Sequence, residues 1–238
     1  MPLTTMLKKR VAAICVGLTV ALTGVVVPST TYSVHASVKP SVKRAKLLYR
    51  IDTKDPVVFI TIDDGFDTNG YGLELLKKWR WPVTSFLLPF NSKNHVPYFQ
   101  HVGRINDIGT HTAKHTILKG LSLQKQQEAI CAGEQQIKQQ FGYTTGIFRP
   151  PTGSWDSTTL EAAANCGIST VLLWRVSMNG STMTTWGGPP RAGDVILIHY
   201  VRSLDKSLKR IAWELHKQGL HVARLADYLP MKTFSPLR

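Results

Sequence analysis

The chain reads as one α/β domain built on a parallel sheet, either open or closed into a barrel. Two observations predict this. From about residue 48 onward, short apolar runs alternate with amphipathic stretches, the pattern of repeated strand–helix units. The 238 residues, 43% hydrophobic and 18% charged, are enough for one domain with a real core. There is no internal repeat and no sign of a second domain.

The elements follow in order. Val57-Val58-Phe59-Ile60 is the first buried strand, and residues 71–79 form the helix after it. Residues 84–88 give the next strand and 105–110 a short third. A helix is expected from about Ser122 to Phe141, with Ile130, Gly133, Ile137 and Phe141 at helical spacing. Ile147-Phe148 is a brief strand. Asp156 or Ser157 then N-caps a helix that ends near Asn165-Cys166-Gly167. Residues 170–174 and 195–198 are further strands. Leu204, Leu208, Ile211, Ala212 and Leu215 mark a long helix closed by Gly219, and residues 221–225 return as a strand.

The first 36 residues stand apart. Lys8, Lys9 and Arg10 precede an uncharged apolar run over 11–27, and Val34-His35-Ala36 offers small residues before Ser37. That order is the pattern of a secretory signal cleaved near Ala36, which predicts a secreted or wall-associated protein. The alternative is a retained N-terminal membrane anchor, since the run is about the shortest that spans a bilayer. Residues 37–47 read as a basic linker, leaving 48–238 as the folded domain.

Cleavage would remove three cations and no anions, taking the net charge from +14 to +11. A basic exported protein gathers at anionic surfaces such as wall polymers. Nucleic acid is not expected: no basic helix, zinc-finger spacing or aromatic-rich basic motif occurs, and the excess charge is scattered. Nothing in the sequence sets an oligomeric state. Cys15 lies in the apolar run, so Cys131 and Cys166 would remain. Oxidation suits an exported pair, but the sequence leaves open whether their backbones come close enough to bridge.

Four runs carry the chemistry, each at the end of a strand-like segment: Thr61-Ile62-Asp63-Asp64-Gly65, His111-Thr112-Ala113-Lys114-His115, Arg149-Pro150-Pro151-Thr152-Gly153 and Leu197-Ile198-His199. In parallel α/β folds such ends share one rim, where function gathers. One helical turn would set His111 and His115 on one face as a clamp for a divalent ion. Asp64 completes a facial set of two histidines and one carboxylate with positions left open. Neighbours on an extended segment point opposite ways, so Asp63 stays free beside the ion. Arg149, held before two prolines, is placed to orient a carboxylate. His199 brings an imidazole out of an apolar strand. Alone, each run is weak: Asp-Asp-Gly is also a plain turn, and His-x-x-x-His a frequent accident.

Together, and in this order, the runs resemble the polysaccharide deacetylases, the NodB-homology domain of carbohydrate esterase family 4. The likeness extends over about residues 57–229, with close matches to four of the family's five motifs. It implies a distorted (β/α) barrel, TIM-barrel-like with about seven strands, that removes acetyl groups from N-acetylated amino sugars of peptidoglycan or chitin-like glycans. It implies that Asp64, His111 and His115 hold a divalent metal, usually Zn2+, with Co2+ or another ion as alternatives. Asp63 would be the general base, steered by Arg149, and His199 the general acid. Leu197 would line the acetyl pocket beside Trp174, and the Thr152 backbone N–H would face the oxyanion.

Two departures bear on that reading. Thr152 stands where the family commonly has an aromatic residue. Ser177 stands where an Asp usually supports the catalytic histidine, and the run Trp174-Arg175-Val176-Ser177-Met178-Asn179 holds no carboxylate. A slow enzyme, or one with a lowered pH optimum, is the expectation. The alternative is a catalytically weakened glycan-binding or wall-binding protein that keeps the fold.

Overall fold

The computed structural model describes residues 42–68, 71–103 and 107–231, with backbone alone at residues 71 and 100–103. The expected signal over 1–36 lies outside the described residues. Among those that are described, no helix is long and apolar enough to cross a membrane.

Among the described residues, sixteen strands and α-helices follow one another. They are β1 (Lys46–Leu48), β2 (Val57–Asp64), α1 (Tyr71–Trp79), β3 (Val83–Leu87), α2 (Pro89–Ser92), α3 (Val96–Gly103), β4 (Asp107–Thr110) and α4 (Leu123–Phe141). Then come β5 (Ile147–Phe148), α5 (Ser157–Asn165), β6 (Thr170–Leu172), β7 (Val176–Asn179), β8 (Thr182–Thr185), β9 (Val195–His199), α6 (Leu204–Gln218) and β10 (His221–Val222). In space the strands run β1-β6-β5-β4-β3-β2-β9-β7-β8, with β10 added to the start of β2. Every neighbouring pair is parallel except the β7–β8 hairpin. The sheet is a distorted (β/α) barrel whose ends do not pair along their length. A single antiparallel bridge, Arg50 to Asp194, ties the β1 side to the β9 side.

Strand β2 shows why the barrel forms. Val58, Ile60 and Ile62 pack outward in the cluster that includes Leu73 and Leu76 of α1 and Leu208, Ile211 and Leu215 of α6. Phe59 belongs to a separate inner cluster with Phe86, Ile147, Leu172 and Val195. Both faces are thus buried, as a parallel strand covered by helices requires. The inward positions change from Phe59 to Thr61 to Asp63, so the barrel floor is apolar and its rim is polar. A third cluster joins α4 and α5 to β5 and β6 through Ile130, Ala162, Ala163, Phe148 and Val171.

Several expectations need correction. The linker expected over 37–47 ends early: Ala45 is buried, its N–H donates to the Leu160 carbonyl, and Lys46–Leu48 pairs with β6. Such a strand is too short to announce itself by periodicity. The closing strand stops at Val222, and Leu225–Asp227 turns as a 3-10 helix. The hairpin β7–β8 was not foreseen, because its burial alternates over only four residues per strand.

Cys131 of α4 and Cys166, the C-cap of α5, form a disulfide with Cα atoms 5.0 Å apart. Closing a loop with a sequence separation of 35 ties the two helices together and contributes about 2–4 kcal/mol. Asp156 caps α5 as expected. Its carboxylate accepts from the Thr159 N–H at 3.0 Å, and Thr159 returns a bond to the Asp156 N–H.

Candidate active site

Asp63 and Asp64 end β2, and the chain there leaves the extended conformation. Asp64 has φ 75° and Gly65 φ 71°. Two such residues in succession turn the strand sharply, at a cost for the aspartate that only surrounding structure can offset. The turn corrects one expectation. The two carboxylates do not simply point opposite ways: with Asp64 left-handed, both reach the His111 ring. Nε2 of His111 therefore lies 3.6 Å from Asp64 Oδ1 and 3.9 Å from Asp63 Oδ2.

The histidines do meet, but not on a helix. Residues 111–118 are irregular, and Thr112 (φ 65°) and His115 (φ 56°) are both left-handed. This loop places the rings 5.2 Å apart and His115 Nε2 3.8 Å from Asp64 Oδ1. Its shape depends on α4. A Cβ at Gly133 would lie 2.6 Å from the Thr112 carbonyl carbon and 2.9 Å from the Ala113 nitrogen, so only glycine lets the loop settle on the helix. Thr112 Oγ1 accepts from the Thr116 N–H at 3.0 Å, fixing the loop's other end. Among the described residues, four of the five left-handed non-glycines (Asp64, Thr112, His115 and Thr152) lie in the predicted site runs. Backbone strain gathers where chemistry was expected.

The donor set fits a cation. The ligand atoms of Asp64, His111 and His115 lie within 4.8 Å of one another. Asp64 Oδ1 is buried and has no hydrogen-bond partner, although two imidazole nitrogens face it. His111 Nδ1 lies 2.7 Å from the Arg149 carbonyl, which can only accept. The Nδ1–H must therefore donate, which leaves the Nε2 lone pair directed at Asp64. Burial pulls His111 below its ordinary value against the opposing pull of Asp63 and Asp64, which favours the neutral ring that a metal requires.

Arg149 is fully buried and spans the barrel interior. Its Nη1 donates to Asp63 Oδ1 and to Thr61 Oγ1, both at 2.8 Å. Its Nε and Nη2 donate to the Leu172 and Leu173 carbonyls at 2.9 and 3.3 Å. The guanidinium also lies 4.3 Å from the centre of the Phe86 ring. Asp63 is thereby held by one oxygen, while Oδ2 takes no bond from Arg149.

His199 pairs in register with Asp63, so the two side chains leave adjacent strands at one level. It is half-buried and lines a cavity of about 640 Å³ with Leu197, Trp174, Ser177 and Trp186. Ser177 faces this cavity, at the place where a supporting carboxylate was missed in the sequence. Leu197 is buried, whereas the Thr152 side chain is exposed on a 3-10 turn over Pro151–Gly153. Thus Asp63, Asp64, His111, His115 and Arg149 form one cluster. His199, Leu197 and Trp174 border the adjoining cavity, and Thr152 is set further out. Sequence reasoning passed over Thr61, whose hydroxyl supports Arg149, although it opens the first run.

An open (β/α) barrel carrying a cation cradle and a spare, oriented carboxylate at its rim is the framework of a hydrolase. A sequence profile described as polysaccharide deacetylase matches residues 50–171. The chain belongs to the polysaccharide deacetylase family, carbohydrate esterase family 4. An uncharacterized protein of Streptomyces coelicolor is 33% identical over 190 residues, 75% of each chain. A crystal structure of a peptidoglycan N-acetylglucosamine deacetylase, Bc1960, superposes with a TM-score of 0.68 at 24% identity, over 80% of this chain and 95% of that one. BA3943, described as a family 4 pseudoenzyme from Bacillus anthracis, superposes with a TM-score of 0.65 at 22% identity, over 76% and 68%. At those identities the two structures speak for the fold alone.

Proposed function

We propose that the protein is a secreted, metal-dependent deacetylase acting on N-acetylated amino sugars of peptidoglycan or chitin-like glycans. The observation that carries this reading is the half-engaged Asp63 carboxylate. Arg149 fixes one oxygen, and the other takes no bond from it and stands 3.9 Å from His111 Nε2, beside the Asp64–His111–His115 cradle.

Those three residues would hold a divalent ion, zinc or cobalt. When bound, it supplies Lewis acidity toward an acyl oxygen. The chain's own groups do the rest. Asp63 Oδ2 takes the proton of the attacking water as the water oxygen bonds to the acetyl carbon. The Thr152 backbone N–H, on the turn bordering the neighbouring cavity, would be the donor to the oxygen that gains charge. His199, on the neighbouring strand, gives a proton to the sugar nitrogen as the C–N bond breaks. Free acetate and an amine are left. Leu197 offers an apolar wall for the acetyl methyl group.

The second reading, a glycan-binding protein with weakened turnover, draws on Ser177. That position offers His199 a hydroxyl rather than a carboxylate across the shared cavity. The pseudoenzyme among the similar folds has a mutant described as having restored activity, so loss and recovery of turnover both occur on this fold. Acetate release separates the readings. The purified protein is incubated with zinc or cobalt and chitooligosaccharides or peptidoglycan, with Asp63→Asn as control. Release above that control is expected. Release equal to it on every glycan would leave the binding reading in front.

A further inference from the structure

Resting on the glycan reading above, we infer that Tyr49 and Trp186 form a second sugar-binding subsite, continuous with the candidate active site through Trp174. Neither residue belongs to the four catalytic runs. Both are large aromatics left about half exposed, Tyr49 at 46% and Trp186 at 54%. Yet both line one cavity of about 510 Å³, whose remaining walls are Thr152, Gly153, Leu173, Trp174 and Arg175. Trp174 and Trp186 also border the cavity that holds His199. The two spaces therefore adjoin along an indole wall, with the Trp174 and Trp186 ring centres 6.4 Å apart.

The occupant follows from the chemistry. Pyranose rings present apolar C–H faces that pack on aromatic rings, with hydroxyls at the ring edge for polar partners. A polymer whose acetylated sugar lies against Asp63 and His199 must place an adjacent sugar nearby. A cavity that shares its wall with the His199 space is where such a neighbour fits.

The platform is held rigid, as a subsite needs and an incidental surface tryptophan does not. Arg175 is buried and pairs through Nε with Asp194 Oδ1 at 2.6 Å and through Nη2 with Oδ2. Its remaining donors take the carbonyls of Trp186 at 2.5 Å, Gly188 at 3.1 Å and Pro189 at 2.6 Å. The Trp186 N–H in turn donates to the Arg175 carbonyl at 3.1 Å. One side chain thus fastens the loop that presents Trp186. On the opposite wall, Trp155 Nε1 donates to the Tyr49 hydroxyl at 3.2 Å and orients that ring. Gly153 keeps the floor low, since a Cβ there would meet the Trp174 ring at 2.8 Å.

The test measures binding apart from turnover, by calorimetry or tryptophan fluorescence on Asp63→Asn protein, with chitotetraose and N-acetylglucosamine as probes. Adding Trp186→Ala or Tyr49→Ala should weaken chitotetraose binding roughly tenfold, the worth of one good aromatic contact. N-acetylglucosamine should lose less. Trp186→Phe, which keeps a ring face, should recover most of the affinity. Unchanged melting temperatures confirm that these exposed positions leave the fold intact. Equal losses for both probes, no loss, or no chitotetraose binding by folded Asp63→Asn protein would each overturn the subsite. Acetate release by the unaltered protein is scored separately. Release with Trp186-independent binding refutes the subsite and spares the activity. Trp186-dependent binding without release does the reverse.

Discussion

Arg149 and Arg175 are both buried, and each is paired with an inward carboxylate, yet they do different work. Arg175 meets both oxygens of Asp194, and the Arg191 N–H adds a bond to Oδ2 at 2.8 Å. That carboxylate is saturated, and the pair fastens a loop. Arg149 meets one oxygen of Asp63 and gives its other donors to Thr61 and two carbonyls. That carboxylate keeps an oxygen in reserve beside the cation cradle. On the proposed function, a buried ion pair is structural or chemical according to what the carboxylate has left over, not according to burial or charge.

Removing each cation is the largest test of this contrast. Arg149→Met and Arg175→Met both strand a buried carboxylate and should each cost about 3–5 kcal/mol of stability by denaturant unfolding. Per folded molecule, Arg149→Met should lose far more acetate release than Arg175→Met. Equal losses would erase the distinction drawn between the two pairs. Changing the acids sharpens the same point. Asp63→Asn should lower acetate release per folded molecule about a thousandfold, the scale of a general base, and like Asp194→Asn it should also lower stability, because each change leaves a buried arginine without its anion. Folded Asp194→Asn protein, by contrast, should retain most of its turnover.

The orphaned oxygen of Asp64 makes a further prediction that needs no substrate. Zinc at about a hundredfold over its Kd should raise stability by about 2.7 kcal/mol, and a chelator should reverse the gain. Asp64→Ala should abolish it. A thermal shift that survives in that variant would place the ion elsewhere. The smallest effect concerns Asp156. Burial pushes its carboxyl up, but hydrogen bonds from Gly120, Gln126 and Thr159 outweigh that and hold it below the ordinary 3.8. As pH falls, the unfolded chain takes this proton first. The stabilisation is therefore full above about pH 4 and fades below it. Asp156→Ala should cost about 1 kcal/mol at neutral pH, with a shallower acid dependence.

Much of this molecule was legible in its sequence. The long elements were, because α4 and α6 repeat their apolar positions over several turns and β2 and β9 are unbroken apolar runs. The cap at Asp156 was legible because its chemistry is local. So were the candidate cation ligands, since the four runs taken together and in order nominate Asp64, His111 and His115, and the structure groups those three. The manner in which they meet was not. A spacing of four predicts a helical turn, whereas the protein uses a loop with two left-handed residues, shaped by a glycine on a helix distant in sequence. Asp64 likewise leaves the strand plane through a backbone angle that no side-chain pattern announces.

What the sequence determined by itself was the inventory: an alternating α/β chain and a set of donors, acids and imidazoles at strand ends. Tertiary structure alone decided which partner each group received. It joined Arg149 to Asp63 across 86 positions, Cys131 to Cys166, and Arg175 to the loop beneath Trp186. Propensity and periodicity act over a few residues, whereas a buried charge takes whichever partner the closed barrel sets within about 3 Å of it.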